Sequence, residues 1–325
     1  MRRRPLLVAA GAAVPARTLA VDGDVAGAAA TYSHWRTAPT TPPELTADTS
    51  TGMLVAAARD PARWLDGFDT VAIDHIDADG LLSVAIACRP DLVRDADTRR
   101  LLIAAAECGD FCAWHGELPY RLMLTLHAVI VAEQAAGDGW KQRSLDRVVD
   151  GLEHLIEAAR APHAERDAQV AWVVGVRERI RRGDGVALTL DGDLARVACT
   201  RRHGHVDDFL VTRRDDDLPP HAIDGLVPTT AFQLLSQRVG DRWIHQIDAP
   251  RHSWARTAQR PPVAWPDLTA MAWRLTQDDD GVRWATPPDS AKVGFTCILA
   301  SVDETGNAAP SRLDPDGLAA AWRAR

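Results

Sequence analysis

The sequence contains no apolar run as long as the ~18 residues that a membrane-spanning helix requires, so no membrane span is expected. It also lacks a disulfide framework. Its five cysteines are odd in number and irregularly spaced, which points to a reducing, cytoplasmic setting. A P-loop, a G-x-S-x-G nucleophile elbow and a dinucleotide fingerprint are all absent. No internal repeat and no low-complexity segment occurs. Excess positive charge is missing too: a net charge of -8 argues against coating a long nucleic acid, while a local basic cleft stays compatible with it. Met1 to Arg4 followed by Leu6 to Ala16 has the outline of a secretion signal. Gly11 and Pro15 interrupt it, however, and alanine is abundant throughout the chain. The expected start is therefore irregular, leading into a strand over 17–22.

At 325 residues the chain exceeds the usual single-domain size, and two domains are expected, 1–184 and 185–325. In the first, Thr18 to Val21 reads as a strand closed by the turn Asp22-Gly23-Asp24, and Ala28 to Tyr32 as a second strand. Met53 to Ala58 reads as a helix, with Asp48, Thr49 or Ser50 available to cap it. Periodic apolar positions predict helices over 97–107, 118–135, 144–160 (Ser144 as N-cap) and from Pro162 to Ile180. Beyond 184 the pattern changes to strands: a hairpin around Asp191-Gly192-Asp193, then 209–212, 243–247 and 293–299, with short helices at 267–277 and 315–324. The fold class expected is α/β, a parallel-type sheet with flanking helices, followed by a smaller α+β part that binds or caps a substrate.

The chain is organised around Thr70 to Pro90. A short apolar strand, Val71 to Ile73, runs into His75-Ile-Asp77-Ala-Asp79-Gly80 and then into a buried helix over 81–88. In extended backbone, side chains at i, i+2 and i+4 point to one side, so His75, Asp77 and Asp79 converge. One imidazole with two carboxylates suits Mn²⁺, Fe²⁺, Zn²⁺ or Mg²⁺. Strand–loop–helix units also place their loops where open α/β sheets bind ligands. A helix N-terminus at Gly80, with Ser83 in its first turn, would attract phosphate. A calcium loop is excluded: aligning Asp77, Asp79 and Gly80 puts His75 at the first ligand position and Ile86 where the bidentate glutamate belongs. The alternative is an exposed acidic turn with a solvated histidine.

His75-Ile-Asp-Ala-Asp-Gly-Leu-Leu-Ser83 resembles the first motif of the DHH phosphoesterase superfamily. The resemblance implies that His75, Asp77 and Asp79 bind Mn²⁺ or Mg²⁺. The chain departs from that superfamily in having no Asp-His-His triplet and no Gly-rich substrate motif. The nearest histidine-rich spot, His203-Gly204-His205-Val-Asp207-Asp208, falls in the hairpin region. The longer pattern resembles an uncharacterised bacterial family, a domain of unknown function. That pattern is Ser33-His34-Trp35, Thr41-Pro42 with Leu45, Asp48 to Gly52, His75 to Gly80 and Gly109-Asp110-Phe111. It suggests Asp48, Asp110 and His34 as the remaining ligands. Each has a plainer role open to it: helix cap, helix C-terminal turn and packing beside Trp35.

Other groups point less sharply. Cys108 and Cys112 read as buried thiols, and His127 as a core histidine near His115. Arginines 201, 202, 213, 214, 251, 256 and 260 could give the second part a phosphate-contacting face, but arginine is common throughout the chain and most of them read as solvated surface. Trp243, Trp254, Trp265, Trp273 and Trp284 are expected in its core or at the junction of the two parts. The expected function is divalent-metal-dependent hydrolysis of a phosphoester or phosphoanhydride in a small molecule or nucleotide. Asp77, Asp79 and Asp110 carry the reaction, and Gly80 and Ser83 hold phosphate. The alternative is a binding or regulatory protein that keeps the pocket without catalysis.

Overall fold

In a computed structural model of the chain, residues 3–9, 12–39, 41–203, 219–279, 281–292 and 296–325 are described. The fold is α/β and divides into two compact units, Met1–Val170 with Trp254–Pro261, and Ala171–Ser253 with Pro262–Arg325. The boundary therefore falls at 170 rather than 184, and an eight-residue piece from the second half of the chain belongs to the first unit.

The first unit is built on a parallel sheet of β1 (Arg4–Leu7), β2 (Thr18–Val21), β3 (Ala30–Tyr32) and β4 (Thr70–Ile73) in the order β1-β4-β2-β3. All four residues of β2 and of β4 are buried, as befits parallel strands covered on both faces. The helices of this unit are α1 (Ser50–Ala57), α2 (Pro61–Trp64), α3 (Ala78–Cys88), α4 (Ala96–Asp110), α5 (Glu117–Ala135) and α6 (Trp140–Arg160). The unit ends within α7 (Ala164–Arg182). Every residue of α3 is buried, so this helix is the unit's apolar centre. Among the described residues no helix is long and apolar enough to cross a membrane.

Several boundaries differ from the sequence expectation for local reasons. The chain start is not irregular: Arg4 to Leu7 form β1, paired in parallel with Thr70 to Ile73. Helix α3 begins at Ala78 because Asp77 caps it, accepting from Gly80 N at 2.8 Å. Ser83 thus lies past the first turn, fully buried, 3.4 Å from the Thr51 hydroxyl. Ser144 is interior to α6, its hydroxyl returned to the Trp140 carbonyl. Helix α4 runs through Asp110, which is its last residue. His127 faces solvent rather than the core.

The second unit carries a six-stranded sheet: β5 (Val186–Asp191), β6 (Leu194–His203), β7 (Phe232–Val239), β8 (Arg242–Asp248), β9 (Arg283–Ala285) and β10 (Cys297–Val302), ordered β5-β6-β7-β8-β10-β9. Only β6 and β7 run parallel. The helices Thr269–Asp278 and Pro315–Arg323 pack Met271, Leu275, Leu318 and Trp322 with Leu234, Ile247 and Leu299 of the sheet. Trp284 belongs to this core, whereas Trp265 and Trp273 are exposed, and Trp254 lies in the first unit. The expected strand 209–212, the acidic run 215–217, Arg213 and Arg214, and the Gly204–Asp208 part of the histidine-rich spot lie outside the described residues, as do 293–295 of the last expected strand.

Candidate functional site

Three adjacent parallel strands end at one place. Asp22 follows β2, His34 comes two residues after β3, and Asp74 and His75 follow β4. This is the carboxyl edge of the sheet, where open α/β folds bind ligands. Asp22 leaves its strand at φ 47, a left-handed conformation that aspartate tolerates better than most residues. The turn directs its buried carboxylate back over the strand ends.

Asp22 is the shared member of two trios. Asp22, His75 and Asp77 form one, and Asp22, His34 and Asp79 the other; within each, the nearest ligand-type atoms lie within 4.8 Å of one another. In the outer trio, His75 Nε2 lies 3.1 Å from Asp77 Oδ2 and 3.3 Å from Asp22 Oδ2. Its other nitrogen, Nδ1, donates to Asp74 Oδ1 at 2.7 Å, which fixes the ring orientation. In the inner trio, His34 Nδ1 lies 3.3 Å from Asp79 Oδ2 and 3.9 Å from Asp22 Oδ1. His34 Nε2 is 3.5 Å from Asp110 Oδ2.

The N-terminus of α1 supports the inner trio. Ser50 N and Thr51 N donate to the two oxygens of Asp79 at 2.8 and 2.7 Å. The Ser50 hydroxyl donates to Asp22 Oδ1 at 3.0 Å. Thr49 caps the same helix by accepting from Gly52 N at 3.1 Å. The anion held at this helix end is thus an aspartate of the protein itself. The close approach of α3 to β4 and to the turn after β2 requires Gly80. A Cβ there would stand 3.1 Å from Asp22 Oδ2 and 2.3 Å from Ile73 Cδ1.

The charges are crowded. Burial, reinforced by repulsion from Asp79 and Asp77, pushes the Asp22 carboxyl up to about 7. Burial and then the charges of Asp79, Asp77 and Asp22 raise Asp110 well above the ordinary carboxylate range. Burial alone would lower both histidines. Asp79 and Asp22 outweigh it at His34, and Asp22, Asp74 and Asp77 at His75, so both imidazoles hold their protons more firmly than usual. Asp79 stays low despite its burial because His34 and Thr51 bond to it. Asp22 Oδ2, His34 Nε2 and Asp110 Oδ2 are buried and make no well-formed hydrogen bond among the described residues, their nearest neighbours being His75 Nε2 at 3.3 Å for Asp22 and each other at 3.5 Å for His34 and Asp110. Buried polar atoms of this kind call for an explanation. A divalent cation would supply one, replacing the protons that the cluster otherwise retains.

Asp48 does not enter this cluster. Its Oδ1 accepts from Ala258 N at 2.6 Å and Gln259 N at 2.7 Å, and its Oδ2 pairs with Arg260. Arg260 also pairs with Glu107, and Glu107 in turn with His115 at 2.7 Å. Asp48 therefore fastens Trp254–Pro261 to the unit. Arg260, expected at a solvated surface, lies over the Phe111 ring at 4.8 Å. Cys108 is buried and Cys112 half-buried, and neither is in a disulfide. The sequence reading missed Asp22 and Asp74. Both are acidic residues directly after a strand, the one signal that marked them.

Fold and site together define an α/β unit whose parallel strands deliver an acidic–histidine cluster to their carboxyl edge. The chain matches the Family of unknown function (DUF6687) over residues 7–292 and belongs to that family. No curated protein and no solved structure matches it.

Proposed function

We propose that the chain is a divalent-metal-dependent hydrolase of phosphoesters or phosphoanhydrides in small molecules or nucleotides. The observation that carries the reading is Asp22: one carboxylate is shared by two imidazole–carboxylate trios, the donor arrangement of a two-ion centre. His75, Asp77 and Asp22 would hold one ion, and His34, Asp79 and Asp22 the other, with Asp110 beside His34. Mixed imidazole and carboxylate donors favour Mn²⁺ over Mg²⁺, whose preference is for oxygen. Paired ions of this kind activate water and neutralise charge on a transferring phosphoryl group.

The DHH-like order His75-x-Asp77-x-Asp79-Gly80 on a strand–loop–helix supports the same chemistry. It leaves no part for Ser83, which is buried past the first turn of α3. The helix ends are also engaged, α3 by Asp77 and α1 by Asp79, so the substrate's charge would be met by the ions rather than by a free helix terminus. That none of the five cysteines is in a disulfide supports a reducing, cytoplasmic setting.

A second reading, metal and phosphate binding without turnover, is favoured by one observation. Asp79 already accepts two backbone N–H groups, which leaves it fewer lone pairs for an ion. A Mn²⁺-supplemented panel of phosphodiesters, nucleotides, oligonucleotides and pyrophosphate separates the two. Turnover by the parent that disappears in Asp77→Ala and Asp79→Ala supports hydrolysis. Equal activity in parent and variants would remove the proposal.

A further inference from the structure

Among the described residues, the candidate centre is exposed at its outer trio and closed at its inner one. His34 and Asp79 have side chains at 0% exposure, while those of His75, Asp74 and Asp77 are 28%, 33% and 44% exposed. A substrate reaching the centre from this exposed side meets His75, Asp74 and Asp77 first. Beside that opening stand two partly exposed indoles, Trp35 and Trp254. The Trp35 ring lies 5.0 Å from the His75 ring, and the Trp254 ring lies 5.8 Å from Trp35 at an interplanar angle of 80°. Trp254 also meets the buried His34 ring at 5.0 Å, so the two indoles span from the open imidazole to the closed one.

Their backbones are firmly held. Trp35 pairs with Ala255 in an isolated bridge, Arg256 N donates to the His34 carbonyl at 2.7 Å, and Arg36 Nε reaches the Ala255 carbonyl at 3.3 Å. Farther along, Asp48 grips Ala258, Gln259 and Arg260. Pinned aromatic surface loses little conformational freedom when a flat ligand group is laid on it. Neither inorganic phosphate nor an aliphatic phosphate has a group that could use it.

Resting on the phosphohydrolase reading, we infer that the substrate carries a flat aromatic group, a nucleobase or an aryl ring, seated against Trp35 and Trp254 while its phosphate faces His75. Stacking of a base on an aromatic side chain corresponds to roughly 5- to 150-fold in affinity. The test is calorimetric titration of the full chain with AMP, ribose 5-phosphate and adenosine, each with and without Mn²⁺. AMP binds at least about 10-fold tighter than ribose 5-phosphate. Trp35→Leu abolishes that preference and Trp35→Phe, which keeps a ring, retains most of it. Equal affinity for AMP and ribose 5-phosphate in the parent overturns the aromatic subsite and leaves the phosphate reading standing. A preference for AMP and adenosine that ignores Mn²⁺ upholds the subsite and removes the metal–phosphate reading. Absence of binding by all three compounds overturns both.

Discussion

Asp22 concentrates the conflict of this molecule in one side chain. It is fully buried beside two other aspartates, and its carboxyl is held up to about 7 because ionisation there is costly. Asp22→Asn keeps the shape and removes the charge. In the absence of metal, at a pH above about 8, the variant is more stable than the parent, on the order of 1 kcal/mol, because a buried charge repelled by Asp79 and Asp77 has gone and this outweighs the lost attraction to His75 and His34. If the proposed two-ion centre is right, Mn²⁺ binding moves the other way: both trios lose their common carboxylate, and calorimetry is expected to show weakened binding at both positions rather than one. A variant both less stable and unaltered in Mn²⁺ affinity would show that Asp22 serves packing alone.

Asp74 acts on His75 from behind. Asp74→Ala frees the imidazole to rotate, and the expected cost is about 10- to 100-fold in Mn²⁺ affinity, with Asp74→Asn recovering part of it. Unchanged affinity in Asp74→Ala would dismiss the orienting role. These residues also mark what the sequence could tell. His75, Asp77 and Asp79 were legible because a period of two in extended chain brings them together without help from any other segment. Asp22 was read as a turn residue because its partners, Ser50, His75 and Asp79, come from three other elements. Asp48 was misplaced because its partners at 258–260 lie far along the chain, beyond any local pattern.

Elements were more legible than their ends. The helices around 97–107, 118–135 and 144–160 announce themselves by apolar period, yet α3, α4 and α6 all run further than that period suggests. Caps decide such ends, and the Asp77 cap is recognisable only once the carboxylate is seen on Gly80 N. Strand β1 was hidden because four short-range residues of mixed character take their meaning from pairing with β4. Gly80 tests how α3 is seated. Helix propensity favours alanine there by up to about 1 kcal/mol. The Cβ would nonetheless meet Ile73, itself fully buried, and press on Asp22 and Asp77. Overpacking wins, and Gly80→Ala lowers stability by about 1–3 kcal/mol, measured by denaturant unfolding. A stabilised Gly80→Ala would mean that α3 can shift away from β4 and the turn after β2, with the sheet edge less tightly built than the contacts imply.

At the scale of the whole molecule, the α/β class and a helix-rich first part were legible. The return of Trp254–Pro261 to the first unit was not, since it depends on Asp48 and the Trp35 bridge rather than on composition. The molecule also has a charge signature of its own. Buried carboxyls are raised in both units: Asp22 and Asp110 in the first, and Asp248 in the second, where burial outweighs Arg251 and Gln246. Between about pH 4 and pH 7 Asp22 is ionised in the unfolded chain and largely protonated in the folded one, and Asp110 and Asp248, raised from the same ordinary range, act with the same sign. The folded state then binds more protons, so stability falls as pH rises. His34 and His75 add the same sign higher up: their contribution is complete below about pH 6.5 and is lost as pH climbs through their raised folded values. Asp74, Asp79 and Glu107 are lowered, and their stabilisation is lost only as pH drops below the ordinary carboxylate range, outside this window. His245, lowered to about 4 by burial, opposes this trend below about pH 6.5, so the metal-free protein should show a melting temperature that declines from about pH 6.5 to about pH 8, the reverse of a protein held by surface carboxylate pairs. On the proposed metal reading, saturating Mn²⁺ would displace protons of the first unit's cluster and leave Asp248 untouched. The decline should flatten without vanishing, and Mn²⁺ binding should release protons and tighten with pH. Parallel declines with and without Mn²⁺ would separate the acidic–histidine cluster from any metal-binding role.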